Sequence, residues 1–226
     1  ELVLQGLFGK IHRVTSTRAL QDDDTLAKLM IRRIVLQYDD TIRKNFGKQK
    51  YQDEIKHIIT YQRRNHFIRK LTLDLKGNTL VLYNYVEKHG KPLYENIKQY
   101  SNDEERKIFF VSGNTPANDR EAIRMIVEKQ KNAIIVASLG TFSTGINIRN
   151  LHNIVFASPS KSQIRVLQSI GRGLRKTDDG KDTTLYDIVD DISWKSRKNY
   201  GILHADERLR IYGREKFNHK TYKVKL

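Results

Sequence analysis

Short apolar runs, rich in β-branched and aromatic side chains, recur through the middle of the chain with helical stretches between them. Thr79-Leu80-Val81-Leu82-Tyr83 is the first. Lys107-Ile108-Phe109-Phe110-Val111, Asn132-Ala133-Ile134-Ile135-Val136-Ala137, Asn153-Ile154-Val155-Phe156-Ala157 and Thr183-Thr184-Leu185-Tyr186-Asp187-Ile188-Val189 follow. A run with no alternating polar positions has no face to turn to water, so it must be covered on both sides. Helical patterns over 86–100, from Asn118 or Asp119 to about Lys131, and over 161–170 supply that cover, with Ser160 placed to cap the last. The sequence therefore predicts an α/β domain whose parallel sheet carries helices on both faces. Ligands of such sheets bind at the carboxyl ends of the strands. In the flanks, residues 11–15 and 30–38 read as strands, 51–75 as helical, 195–213 as a basic helix and 219–225 as a final strand. Lys44-Asn45-Phe46-Gly47-Lys48 reads as an exposed loop.

The charge is uneven. The 226 residues hold 42 Lys+Arg against 26 Asp+Glu, a net charge of +16. Residues 1–70 and 161–226 carry +7 each, and residues 71–160 only +2. An excess of this size favours a polyanionic partner through counterion release. It also suits a plain solubility surface. Cysteine is absent, which excludes a disulfide scaffold and thiolate metal sites and suits a reducing, cytoplasmic setting. No apolar stretch reaches the roughly 20 residues that span a bilayer, and no signal peptide opens the chain. It begins at Glu1 rather than Met, as a piece of a longer polypeptide would.

Two stretches carry chemistry. Gln168-Ser169-Ile170-Gly171-Arg172-Gly173-Leu174-Arg175 places two arginines three residues apart, on one face of a helix end. A planar, permanently charged guanidinium stabilises charge building on a transferring γ-phosphate. The same residues also suit a helix C-terminus that complements its own dipole. Ala137-Ser138-Leu139-Gly140-Thr141-Phe142-Ser143-Thr144-Gly145-Ile146-Asn147 follows a buried strand, and its hydroxyls and backbone N–H groups can meet phosphates. A plain strand-to-loop turn is the alternative.

Together the two stretches have the order and spacing of motifs V and VI of superfamily 2 helicases. The chain resembles the second RecA-like (P-loop NTPase-type) domain of these nucleic-acid motors. Thr79–Tyr85 sits where motif IV belongs, and Ser112-Gly113 followed by Arg120 where motif IVa belongs. Gln5-Gly6-Leu7-Phe8-Gly9, Tyr51-Gln52-Asp53-Glu54-Ile55, Phe142-Ser143-Thr144-Gly145-Ile146 and Tyr186-Asp187-Ile188-Val189-Asp190-Asp191 are similar to the C-terminal half of the UvsW-type DNA helicases of tailed phages. The resemblance implies that Arg172 and Arg175 reach the γ-phosphate of ATP, with Arg175 as the arginine finger. Gln168 opens that motif. Gly145 and Asn147 lie near the nucleotide, although many relatives have Asp at the position of Asn147. Thr144 with Ser143, and Gly113 with Arg120, contact the nucleic-acid backbone. The partners implied are single-stranded and branched DNA and an N-terminal RecA-like domain of the same polypeptide. That domain would hold most of the ATP and Mg2+.

No G-x-x-x-x-G-K-[ST] is present. The Asp187–Asp191 strand end imitates a Walker B element but follows motif VI, so it reads as structural. No histidine pairing suits a metal. His57 and His66 read as a polar helix face, His152 as a surface loop residue, and Trp194 as a core or interface residue. Arg63-Arg64 and Arg69-Lys70 read as a solvated helix face. Tyr200 and Tyr212, next to basic residues, suit base stacking or packing over apolar surface.

Residues 1–75 read as an extension leading into the domain, 76–194 as the RecA-like core, and 195–226 as a basic C-terminal extension. The expected function is the C-terminal motor half of an ATP-dependent DNA helicase or branch-migration translocase in recombination, replication and repair. It would be inactive alone, and it would work in the host cytoplasm if phage-encoded. The rivals are a restriction-type translocase, an RNA helicase, or a catalytically silent RecA-like binding module. The flanks, which hold most of the charge, are expected to border the DNA path.

Overall fold

Every residue of Thr79–Tyr83 is buried, as a run without a polar face requires, and it forms β2, an interior strand of the sheet. The computed structural model describes residues 29–46, 50–143, 148–160, 177, 180 and 182–226. Within them β1 (Leu29–Gln37), β2, β3 (Ile108–Val111), β4 (Ile134–Ser138), β5 (Asn153–Phe156), β6 (Thr183–Asp191) and β7 (Asn218–Lys225) form one seven-stranded sheet. The order is β3-β4-β2-β5-β6-β1-β7, and every neighbouring pair is parallel. The five expected central strands are therefore present. The sheet also runs on through both flanks, because β1 lies between β6 and β7.

Parallel neighbours need crossovers, and right-handed ones sort the helices by direction of travel. The chain moves one way from β1 to β2 to β3. That puts α1 (Asp40–Phe46), α2 (Tyr51–Thr60), α3 (Gln62–Asp74) and α4 (Lys91–Gln99) on one face. It moves back from β3 to β4 and from β6 to β7, so α5 (Ala117–Lys129) and α7 (Tyr200–Arg214) take the other. The cores agree. Ile58, Ile68, Leu93 and Ile97 pack with Val81, Tyr83 and Val136. Val127 and Tyr212 pack with Leu80, Leu82 and Ile135. A π-helical turn (Val86–Gly90) joins β2 to α4, and a Cβ on Gly90 would lie 2.5 Å from the Tyr83 ring. Only a glycine lets that turn sit directly on the tyrosine.

Several local expectations are corrected. Helix α5 starts at Ala117, ahead of Asn118 and Asp119, and neither caps it. Pro116 precedes it with φ −55°, a value that already suits a helix start and lacks an N–H to satisfy. Lys44, Asn45 and Phe46 are the end of α1 rather than a loop. Phe46 stacks on His57 at 3.8 Å, so His57 is part of an aromatic cluster and not of a polar face. His66 is exposed, as expected. His152 is half-buried and accepts a hydrogen bond from Asn78 N at 3.2 Å. Gly77, at φ +90°, brings its backbone against that ring. Tyr212 is fully buried and serves no stacking role, whereas Tyr200 is half-buried and meets Tyr51 edge-on. Trp194 is half-buried beneath the Arg43 guanidinium. The strand read at 11–15, the helix at 161–170, and Gly47 and Lys48 lie outside the described residues.

The largest correction concerns charge. Arg64 is not solvated but wholly buried. Arg64, Ile68 and Thr72 are the buried residues of α3, spaced by one helical turn each, so the arginine stands on the apolar stripe. It meets Asp190 at 2.7 Å from Nε and 3.1 Å from Nη2. On the other face Arg208 meets Asp187 at 3.1 and 2.8 Å, and the Tyr212 hydroxyl donates to the same carboxylate at 2.7 Å. Asp187 and Asp190, two of the three carboxylates in the strand end that imitates a Walker B element, are thus the anchors of two buried ion pairs, one on each face.

Candidate nucleotide and nucleic-acid rim

All strands being parallel, their carboxyl ends share one rim. Four of them are tied together there. The Tyr83 hydroxyl donates to Val111 O at 3.0 Å and joins the ends of β2 and β3. Asn84 N donates to Ser158 Oγ at 3.0 Å, and His89 Nδ1 lies 2.8 Å from the same oxygen. Arg64 Nη2 donates to Ala157 O at 2.6 Å, which ties the end of β5 to Asp190 on β6. These bonds hold the segments that leave the rim.

Two of those segments carry described site residues. After β3, Ser112 N donates to Thr115 Oγ1 at 2.9 Å, and Thr115 N to Ser112 O at 3.1 Å. The turn closes on itself and leaves Gly113 exposed, with open space where a Cβ would be. Arg120 follows in the first turns of α5, partly exposed, and makes no ion pair among the described residues. This pair offers a close backbone approach and a free cation on one side of the rim, the combination a phosphate contact needs. After β4, α6 (Leu139–Ser143) opens the second stretch. Ser138 Oγ and Thr141 Oγ1 are 2.5 Å apart and both residues are buried. These two hydroxyls of the stretch therefore face inward. Ser143 ends α6, and Thr144, Gly145, Asn147, Gln168, Arg172 and Arg175 lie outside the described residues. Among the described residues no group of three His, Asp or Glu side chains could hold a metal ion, and no helix is long and apolar enough to cross a membrane.

Reading the sequence missed His89 and Ser158. His89 is completely buried, and burial, with the nearby Arg64 charge, pushes its pKa down to about 3. Its Nε2 has no hydrogen-bond partner among the described residues. Nothing in the sequence marks it beyond its place directly before Gly90, where the chain must press on Tyr83. The sign of its effect on stability is fixed. The unfolded histidine takes a proton near pH 6.5 and the folded one only near 3, so below 6.5 the unfolded state binds more protons and stability falls. Between pH 7 and 5 this single group is expected to remove about 2 kcal/mol. In urea unfolding, His89→Gln should lose that much less over the same interval. Equal losses in the two proteins would show that His89 is not held neutral.

Fold and rim together define a RecA-like domain with helicase-type organisation, and comparison with known proteins agrees. The helicase conserved C-terminal domain model matches residues 62–177, and the chain belongs to that family. It is 36% identical to the ATP-dependent DNA helicase uvsW of Enterobacteria phage T4, across 98% of this chain and 46% of that protein. The chain therefore spans about half the length of this relative. The crystal structure of T4 UvsW superposes with a TM-score of 0.75 at 34% identity, over 97% of this chain and 44% of that one. The ATP-dependent Type ISP restriction-modification enzyme LlaBIII bound to DNA gives a TM-score of 0.64 over 98% of this chain and 17% of that one. At 14% identity it shares the fold alone.

Proposed function

We propose that this chain is the C-terminal motor half of an ATP-dependent DNA helicase that works on branched DNA in recombination, replication and repair. The observation that carries the reading is positional. Gly113, Arg120, the Ser143–Asn147 stretch and Gln168–Arg175 occur in motif order inside the family-matched segment 62–177. The first two follow the carboxyl end of β3, on the rim where parallel sheets bind their ligands.

In this reading an N-terminal RecA-like domain of the same polypeptide holds most of the ATP and Mg2+ against the rim. ATP supplies a γ-phosphoryl group whose transfer to water provides the free energy of movement. Arg172 and Arg175 bring positive charge to that group only when the two domains close, which makes chemistry depend on motion. Gln168 supports them. Gly145 and Asn147 line the nucleotide side. The neutral Asn147 offers an amide hydrogen bond rather than a charge. Ser143, Thr144, Gly113 and Arg120 grip the backbone of the tracked strand, and the flanks border its path. Without the partner domain the chain hydrolyses no ATP. The setting is the cytoplasm of a phage-infected host.

The grip is tested by combining Thr144→Ala with Arg120→Ala in the full-length protein. One charged and one neutral backbone contact are each worth about 1–3 kcal/mol at most. Single-strand affinity at low salt should fall at least tenfold. An unchanged dissociation constant would remove both residues from the DNA track.

A further inference from the structure

A second basic surface lies far from the rim's β3–β4 side. On the sheet face that α1–α4 cover, side chains of β6, β1 and β7 line up in cross-strand rows. One row is Tyr186, Arg32 and Lys220; the next is Ile188, Ile34 and Tyr222; the next is Asp190, Leu36 and Val224. Toward the carboxyl ends the rows are covered, with Leu36 and Asp190 buried. Toward the amino ends the cover stops. Arg32 and Lys220 are exposed, and Tyr222 is 44% exposed. The Arg32 guanidinium stands 5.8 Å from the centroid of the buried Tyr186 ring, which holds it over the sheet.

Neither Arg32 nor Lys220 makes an ion pair among the described residues. Neither β1 nor β7 contains an acidic residue, and none occurs from Lys216 to the last residue, Leu226. Lysines on β7 alone would be accounted for by edge protection, since charge on an edge strand blocks pairing with other chains. That account does not reach Arg32, because β1 is an interior strand between β6 and β7. Arg33, its neighbour on the opposite face, shows what a structural arginine does here: it is buried and approaches Asp206 at 3.5 Å. Arg32 has been given no such partner.

We propose that this sheet corner, formed by Arg32, Lys220 and Tyr222, holds the phosphodiester backbone of a second arm of the nucleic-acid substrate. The inference rests on the helicase reading and extends it. Two guanidinium or ammonium groups and one phenol hydroxyl on a flat face suit consecutive phosphates and carry no base specificity. Its outer strand, β7, lies five strands from β4 and six from β3, the strands that the tracking residues follow, and β1 is one strand nearer. At about 4.8 Å per strand the β7 distance is roughly 24–29 Å, the length of about 7–9 base pairs. It also faces the amino half of the strands, whereas the track runs along the carboxyl rim. A substrate that meets both must therefore diverge, as the arms of a fork or junction do.

The test compares the full-length protein with its Arg32→Gln/Lys220→Gln variant. Fluorescence anisotropy is read against salt on two probes, a forked DNA whose duplex arm exceeds that length and the single strand alone. Loss of two phosphate contacts should make the log–log salt slope shallower by about 2. The wild-type advantage should then shrink about tenfold between 50 and 200 mM salt. A loss confined to the fork assigns the corner to a second arm; an equal loss on the single strand, which has no second arm, overturns the proposal. An unchanged slope on both probes overturns the proposal. So does an equal effect of Lys223→Gln/Lys225→Gln, which removes the same charge from the opposite face of β7. Failure of the helicase reading looks different, because the wild-type protein would then show no DNA-stimulated ATP hydrolysis.

Discussion

Asp190→Ala is expected to destabilise the domain by about 3–5 kcal/mol, because it strands a buried charge. The Asp190 carboxylate accepts Arg64 Nε at 2.7 Å, Arg64 Nη2 at 3.1 Å and the Tyr38 hydroxyl at 2.9 Å. All three residues are at most 3% exposed. With alanine in place, the guanidinium keeps Ala157 O as a partner and has neither counter-charge nor water. At about 2–4 °C per kcal/mol for a domain of this size, the melting temperature should fall by roughly 6–20 °C. The pair as such is not the source of stability, since desolvating two charges offsets most of their attraction. Arg64→Met combined with Asp190→Leu should therefore recover most of the loss. A melting temperature for Asp190→Ala within a degree or two of wild type would show that the pair is open to water.

Arg175→Ala in the full-length protein is expected to lower DNA-stimulated ATP hydrolysis by about 10³-fold or more, the usual worth of an arginine finger. That corresponds to about 4 kcal/mol of transition-state stabilisation. ATP and DNA should still bind, because the finger acts on charge that develops only during transfer. Arg172→Ala should also be severe. The two losses should not add, since in the proposed reading both arginines act on one phosphoryl group. Steady-state ATPase with saturating DNA reads the rate, and nucleotide binding under the same conditions reads the ground state. If Arg175→Ala retained full DNA-stimulated turnover, the motor assignment would fail.

The sheet was legible because its strands declare themselves locally. Thr79–Tyr83 and Asn153–Phe156 are buried at every position, and a run without polar alternation has few other fates. What could not be read was which polar residues the fold would take inside. Arg64 in Gln62-Arg63-Arg64-Asn65 looks like any solvated cation, and only its one-turn spacing from Ile68 and Thr72 betrays it. Asp187 and Asp190 belong to a strand end that imitates a Walker B element and reads as structural, but the sequence does not show that partners 21 and 126 residues away claim them for the core. Such pairings are decided by tertiary register, which leaves no periodicity in the sequence. The same limit applies to the rim. Gly113 and Arg120 are proposed from their motif, whereas nothing in the sequence marks the Asn84–Ser158–His89 connections, which join parts of the chain about 70 residues apart.

The position of β1 has a consequence for how the protein is made. Its only strand neighbours are β6 and β7, and its first residue, Leu29, pairs with Thr183. A ribosome adding about 5–20 residues per second needs roughly 8–30 seconds to pass from one to the other. Throughout that interval Leu29–Gln37 has emerged with no strand to pair with, and most of its residues are destined for burial. The β2–β5 portion can assemble during this wait, but the β6-β1-β7 part of the sheet closes only after β6 and β7 have been made. Arg32 and Arg33 then have a second use as gatekeepers, breaking an apolar segment that would otherwise be free to pair with the same segment of a neighbouring nascent chain.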